Sequence, residues 1–208
     1  MELHSLALPL GYLGALLGVA MVLPQLTRTI RQPILEGVSA ASWAMTSLAC
    51  LAWLIYGLRA DVLPQVPGNV LLIVGAVTIV FLVPSAWSRS SRAASLGSAA
   101  AAIIVMSLFV PLQAVGYVAF VISLVSVSLQ LVRSYGNWRS GVESGVSLPT
   151  WWVKLAATIA WLSYSVIASD PPVLITSTIA LASIIAVFGM ETSARQAASR
   201  RVDEYAVA

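Results

Sequence analysis

The sequence predicts an all-α membrane protein in which seven transmembrane helices form two parallel three-helix bundles joined by a linker helix. Three observations predict this class. Of the 208 residues, 59% are hydrophobic and only 9% are charged, whereas a soluble domain carries about 25% charged residues. Seven segments are apolar and long enough to cross a bilayer. The first three of these segments match the last three.

The composition also excludes several classes of protein. With so few charges, a water-soluble fold of this size could not cover its surface, which excludes a soluble enzyme, a nucleic-acid-binding domain and a disordered chain. One cysteine, Cys50, and one histidine, His4, provide neither a disulfide framework nor a Cys- or His-based metal or catalytic cluster. We therefore expect no enzymatic activity, no cofactor and no metal.

The spans follow from the length of the apolar segments, because about 20 apolar residues cross the hydrocarbon core. The fourth segment is short and rich in alanine, and only Pro111 separates it from the fifth. The alternative is a six-span chain in which the fourth segment lies at the interface. The predicted spans are 6–26, 40–58, 62–83, 93–110, 112–132, 147–168 and 173–190.

The positions of the charges predict the orientation of the chain. Nine arginines follow the odd-numbered spans, whereas Arg59 is the one basic residue on the other side, beside Asp61 and Asp170. Because basic residues accumulate on the cytoplasmic side, we expect an external N-terminus and a cytoplasmic C-terminus. The nine are Arg28, Arg31, Arg89, Arg92, Arg133, Arg139, Arg195, Arg200 and Arg201.

An internal repeat organises the chain. Matching residues lie 105 positions apart in the first helix of each copy and 108 positions apart in the second. Because three spans are an odd number, one extra helix between the copies is needed to make them parallel. We therefore expect a first bundle (1–86), a linker helix (87–111), a second bundle (112–190) and a cytoplasmic tail (191–208). The clearest matches are Tyr12 with Tyr117, Gln25 with Gln130, Arg28 with Arg133, Trp53 with Trp161 and Tyr56 with Tyr164.

Polar residues at one depth predict a binding site between the bundles. Trp53 and Asn69 lie at matching depth on consecutive helices, and Trp161 and Ser177 repeat this arrangement. Indole faces with amide and hydroxyl groups suit a neutral polyhydroxylated ligand. The alternative is ordinary helix packing or an interfacial aromatic belt.

Further candidates lie on the same helices or at predicted bends. Cys50 and Thr158 lie three residues before the tryptophans and could line the pocket or pack helices. Tyr56 and Tyr164 could form an outer gate or belong to the aromatic belt. Three further residues are candidates for hinges or gates. Pro24 lies deep in span one, where a proline kinks the helix, and Gln25 is adjacent to it. Pro149 lies in the first turn of span six.

The acidic residues bear on the mechanism. All eight fall in predicted loops or tails, whereas proton-coupled carriers usually hold a carboxylate or histidine inside the membrane. We therefore expect equilibrative transport rather than proton coupling.

Several motifs resemble those of the SWEET and semi-SWEET sugar transporters of the PQ-loop superfamily. The resemblance implies seven spans, sugar uniport by alternating access, a Trp and Asn pocket, and proline hinges. Three positions depart from the pattern, because Ser177 replaces an asparagine while Leu129 and Ala41 replace prolines. The motifs are Leu23-Pro24-Gln25, Gly37-Val38-Ser39, Trp53-Leu-Ile-Tyr56-Gly57 and Gly68-Asn69, then Ser147-Leu148-Pro149, Trp161-Leu-Ser-Tyr164 and Ser177.

The sequence thus predicts facilitative transport of mono- or disaccharides. One alternative is a carrier of amino acids or another small solute of the wider PQ-loop group, and another is a non-transporting receptor or assembly protein. We expect a multi-pass protein of the plasma membrane that contacts lipid, binds a small neutral sugar and binds no nucleic acid. A homo-oligomer is an open alternative for its assembly.

Overall fold

The computed structural model describes residues 3–31, 40–140 and 148–207, and all regular structure in these ranges is helical. A short 3₁₀ turn, Leu3–Leu6, precedes the first helix. Seven of the described helices are long and apolar enough to cross a membrane, so the predicted fold class is confirmed. These helices are α1 (Ala7–Arg31), α2 (Ala40–Arg59), α3 (Gln65–Leu82), α4 (Arg89–Phe109), α5 (Leu112–Ser140), α6 (Leu148–Ala168) and α7 (Pro171–Val207).

Three helices end well after the predicted spans, and the first of them is α1, which continues to Arg31 beyond the predicted end at residue 26. The fifth predicted span ends at residue 132 and the seventh at residue 190, whereas α5 continues to Ser140 and α7 to Val207. The extension of α7 is rich in Ala and Arg, which favour helix without needing an apolar environment, and the extension of α5 contains Arg133 and Arg139. The length of an apolar segment therefore predicts where the chain crosses the membrane but not where the helix ends.

Helix packing divides the spans into two similar groups. Helix α3 packs against both α1 and α2, and α7 packs in the same way against α5 and α6. The groups meet through two crossed contacts, α1 with α6 and α2 with α5. Helix α4 contacts α2 and α3 from outside this arrangement. The repeat in the sequence is thus a repeat in space, and the two groups enclose the region where a site is expected.

One end of the molecule carries both tight connections, α2 to α3 and α6 to α7, and we call it the hairpin end. Each connection turns at a residue with positive φ, Asp61 (55°) and Ser169 (54°), and these residues are 108 positions apart. The Arg59 guanidinium, at the same end, donates to the carbonyls of Ser107 and Val110. Arg59 therefore caps the end of the linker helix α4, which explains a cation at this position.

Two of the eight acidic residues, all of which the sequence places in loops or tails, are buried. Asp170 and Glu191 are only 7% and 2% exposed, so they are buried in the fold rather than solvated in a loop and a tail. Glu191 lies on α7 and accepts a hydrogen bond from the Ser134 hydroxyl, with a donor–acceptor distance of 2.9 Å. The sequence does not predict this burial, because the helices that cover the two carboxylates lie far from them along the chain.

Candidate functional site

A cavity of about 190 Å³ lies between the two groups of helices. Residues from α1, α2, α3, α6 and α7 line it, so both repeats contribute. Within the described ranges, no charged side chain lines this cavity. Five of the predicted site residues contribute to the lining: Trp53, Asn69, Thr158, Trp161 and Ser177.

The two tryptophans occupy equivalent positions but make different contacts. Each stacks edge-on against the tyrosine three residues later, with ring centroids 5.7 Å apart for Trp53 and 5.5 Å apart for Trp161. The Trp53 indole N–H donates to the Ser123 hydroxyl on α5 at 3.0 Å. The residue that matches Ser123 in the first repeat is Gly18, which has no side chain to accept from Trp161.

Trp161 instead packs against Gly14 on α1. A Cβ added at Gly14 would lie 2.8 Å from Trp161 Nε1, so only glycine allows the indole to approach this closely. Among the described residues, the Trp161 N–H has no hydrogen-bond acceptor. The Trp53 N–H is therefore bonded within the protein, whereas the Trp161 N–H makes no hydrogen bond among the described residues and lies beside Gly14.

Asn69 is held in place from within its own helix. Its Nδ2 donates to the backbone carbonyl of Gln65 at 2.8 Å, and the residue is 9% exposed. This bond uses one of the two amide N–H groups and leaves Oδ1 free of that contact. Ser177, its counterpart on α7, is 6% exposed and provides a shorter hydroxyl.

The remaining predicted site residues lie elsewhere. Cys50 is buried but is not among the residues that line the cavity. Pro24 lies inside α1 on an exposed surface. The side chains of Gln25 and Pro149 lie outside the described residues.

Some lining residues were not identified from the sequence. They include Gln65 at the start of α3, Thr176 in the second turn of α7, and the small residues of α1. Pro64-Gln65 repeats the Pro24-Gln25 dipeptide, but its place at a helix start gives no sign of a site. The glycines of α1 could have been found only from their spacing opposite Trp161.

Two matching contacts close the hairpin end. A Cβ at Gly11 would lie 2.9 Å from Pro64 and 3.2 Å from Tyr164. The equivalent atom at Gly116 would lie 2.7 Å from Pro172 and 3.0 Å from Tyr56. Each contact joins three helices from both repeats, so the repeats touch closely on this side of the cavity.

One polar bond across the repeats accompanies these contacts. The Tyr56 hydroxyl donates to Asp170 Oδ1 at 2.9 Å, and the Val173 N–H donates to the same oxygen at 3.2 Å. Asp170 therefore caps α7 and links it to α2. The matching residue in the first repeat is Val62, so Tyr164 has no equivalent carboxylate.

Burial changes the pKa of the Asp170 carboxyl group. Burial raises the pKa of its carboxyl group above the ordinary 3.8, and the hydrogen bonds from Tyr56 and Val173 offset only part of this rise. The folded protein therefore binds this proton more tightly than the unfolded chain. The resulting stability is fully present below pH 3.8 and is lost as the pH rises through the raised pKa.

We expect Asp170→Asn to remove this pH dependence, because an amide keeps the oxygen acceptor but does not titrate. Melting temperatures of the purified protein between about pH 4 and pH 8 test this. The wild-type Tm should fall with rising pH, and the slope should be smaller for Asp170→Asn. Asp61→Asn, at an exposed position in the other connection, is the control. Equal slopes for wild type and Asp170→Asn would contradict the assignment.

Comparison with known proteins gives one informative result. No protein-family model matches the sequence, and no curated protein matches it. Among solved structures, a eukaryotic SWEET transporter matches with a TM-score of 0.78 and 16% sequence identity. The match covers 95% of this chain and 100% of that chain.

The fold is that of a multi-pass membrane protein, with seven candidate spans and a cavity between two similar groups of helices. More specifically, the chain has the SWEET transporter fold, so the resemblance predicted from the motifs is confirmed at the level of the fold.

Proposed function

We propose that this protein is a member of the SWEET family that carries mono- or disaccharides across a membrane by facilitative uniport. The observation that carries the proposal is the uncharged cavity between the repeats, which presents Trp161, Asn69 and Ser177 to one space. An aromatic face can stack on the C–H side of a sugar, while amide and hydroxyl groups bond its hydroxyls.

Alternating access follows from the pseudo-symmetry. The substrate binds between the repeats, and the two ends of the bundle close in turn. Close contact at the hairpin end corresponds to a state that is shut on that side. With the predicted orientation this is the external side, and Tyr56 and Tyr164 are gate residues. The proposed hinges at the opposite end are Pro24, with Gln25, and Pro149. We also propose that the first bundle ends at residue 86, the linker helix at residue 111 and the second bundle at residue 190.

The experiment is uptake of a panel of radiolabelled sugars into proteoliposomes without an imposed ion gradient. We expect saturable uptake of at least one mono- or disaccharide by the wild-type protein and none by empty liposomes. Absence of uptake for every sugar, by protein that is monodisperse and folded, would contradict the proposal.

A second candidate function is a proton-coupled carrier of amino acids or other small solutes. The observation that favours it is the burial of Asp170 and Glu191, because buried carboxylates can relay protons. Neither carboxylate lines the cavity, which favours uniport. An inward proton current that accompanies solute uptake would establish the second candidate instead of the first.

A further inference from the structure

Gln65 has a buried amide oxygen that accepts no hydrogen bond from the residues the structure describes. The residue is 3% exposed and lines the cavity. Its Oε1 is buried and accepts no hydrogen bond within the described part of the chain. A buried oxygen without a donor is unfavourable, because it has lost its water without replacement.

The place of Gln65 favours a contact with ligand. It lies four residues before Asn69, so the two side chains are on the same face of α3, about 6 Å apart along the axis. Oε1 lies beside Gly57 on α2, where a Cβ would be 3.4 Å away. The absence of a side chain at Gly57 lets the Gln65 side chain lie against α2, and Gln65 is also one of the residues that line the cavity.

The repeat makes this residue distinctive. The counterpart of Gln65 on α7 is Val173, which lines the other side of the cavity without a polar group. The first repeat therefore supplies two amides, Gln65 and Asn69, where the second supplies Val173 and the Ser177 hydroxyl. The polar edge of a bound ring would face α3.

We infer that Gln65 is a specificity-determining residue, whose amide bonds one hydroxyl of the transported sugar while Asn69 bonds another. This inference rests on the proposed function and adds to it. Because the two amides are one helical turn apart, they contact hydroxyls at different ring positions. The sugar should thus be held in one orientation rather than in two orientations related by the repeat.

The structure permits a clean substitution. Asn69 is anchored by the Gln65 backbone carbonyl, not by its side chain, so Gln65→Met leaves that anchor intact. Methionine has nearly the same length but no donor or strong acceptor. Val70→Met introduces the same side chain at an exposed position of α3 that does not line the cavity, and it serves as the control.

The experiment compares uptake of D-glucose, D-galactose, D-fructose and sucrose, and then inhibition of the best of these by its monodeoxy analogues. For the wild type, each of the two analogues that lack a hydroxyl bonded by Gln65 or Asn69 should compete about three- to tenfold less well than the parent sugar. Gln65→Met should abolish that preference at one hydroxyl only, whereas Asn69→Ala should abolish it at another. Val70→Met should keep both preferences.

The outcomes separate the inference from the proposed function. If the wild type transports a sugar but Gln65→Met keeps every preference, the inference is wrong and the proposed function stands. If the wild type transports none of the four sugars, the proposed function fails and the inference falls with it. Gln65→Val, which copies the counterpart residue, replaces Gln65→Met if the methionine variant is not monodisperse.

Discussion

Gly116→Ala should strongly reduce transport, because it places a methyl group where the hairpin end closes. The new Cβ would lie 2.7 Å from Pro172 and 3.0 Å from Tyr56. The Pro172 ring is almost fully buried and has no flexible end that could move aside. Overpacking of this kind costs about 1–3 kcal/mol, which shifts the ratio of closed to open states by roughly 5- to 150-fold.

Uptake into proteoliposomes measures this effect, and a fall of about tenfold is expected. Gly97→Ala is the matched control, because a Cβ at Gly97 meets no atom within 4 Å. The control should transport normally and should be slightly more stable, since alanine favours helix by roughly 0.5–1 kcal/mol. Normal transport by Gly116→Ala would show that the close contact at the hairpin end is not part of the cycle. Gly11→Ala should reproduce the loss.

Trp161→Ala should have the other large effect. Removing a central aromatic contact typically costs about 2 kcal/mol or more, which corresponds to roughly a 30-fold loss of affinity. The milder Trp161→Phe keeps a ring but loses the N–H that has no acceptor among the described residues. We expect the phenylalanine variant to raise the KM by about two- to tenfold at unchanged Tm, the effect of one neutral hydrogen bond.

Trp53→Phe provides the contrast from the other repeat. The Trp53 N–H already donates to Ser123, so its removal should lower the Tm and leave the KM nearly unchanged. Uptake kinetics and thermal unfolding of the two phenylalanine variants separate these effects. If both variants change KM equally, the two tryptophans are equivalent in the site and the asymmetry has no functional meaning.

The lining of the cavity shows what could be predicted from sequence. Trp53, Asn69, Trp161 and Ser177 were identifiable because they recur at one depth in both copies, and helix geometry places such residues around a common centre. Thr158 lines the cavity as well, but its counterpart Cys50 does not. Equal spacing in sequence therefore does not ensure equal orientation when the facing helices differ.

Contacts between distant helices account for what sequence could not provide. From the sequence, Asp170 is expected to be a solvated loop residue. Its hydrogen-bond partner Tyr56 could not be predicted, because it lies 114 positions away along the chain. From the sequence, Gln65 is only a polar residue at the start of a helix. The lack of a hydrogen bond to its Oε1 depends on the surrounding helices and could not be predicted. Apolar length predicted the spans but not the polar continuation of α7 to Val207.

The most direct test of the central claim is counterflow of a radiolabelled sugar in proteoliposomes with no ion gradient. Unlabelled sugar inside should drive a transient accumulation of labelled sugar by the wild-type protein. The Asn69→Ala/Trp161→Ala double variant should give the signal of empty liposomes while it remains folded. Equal counterflow by the wild type and the double variant would contradict the assignment of this cavity as the sugar-binding site.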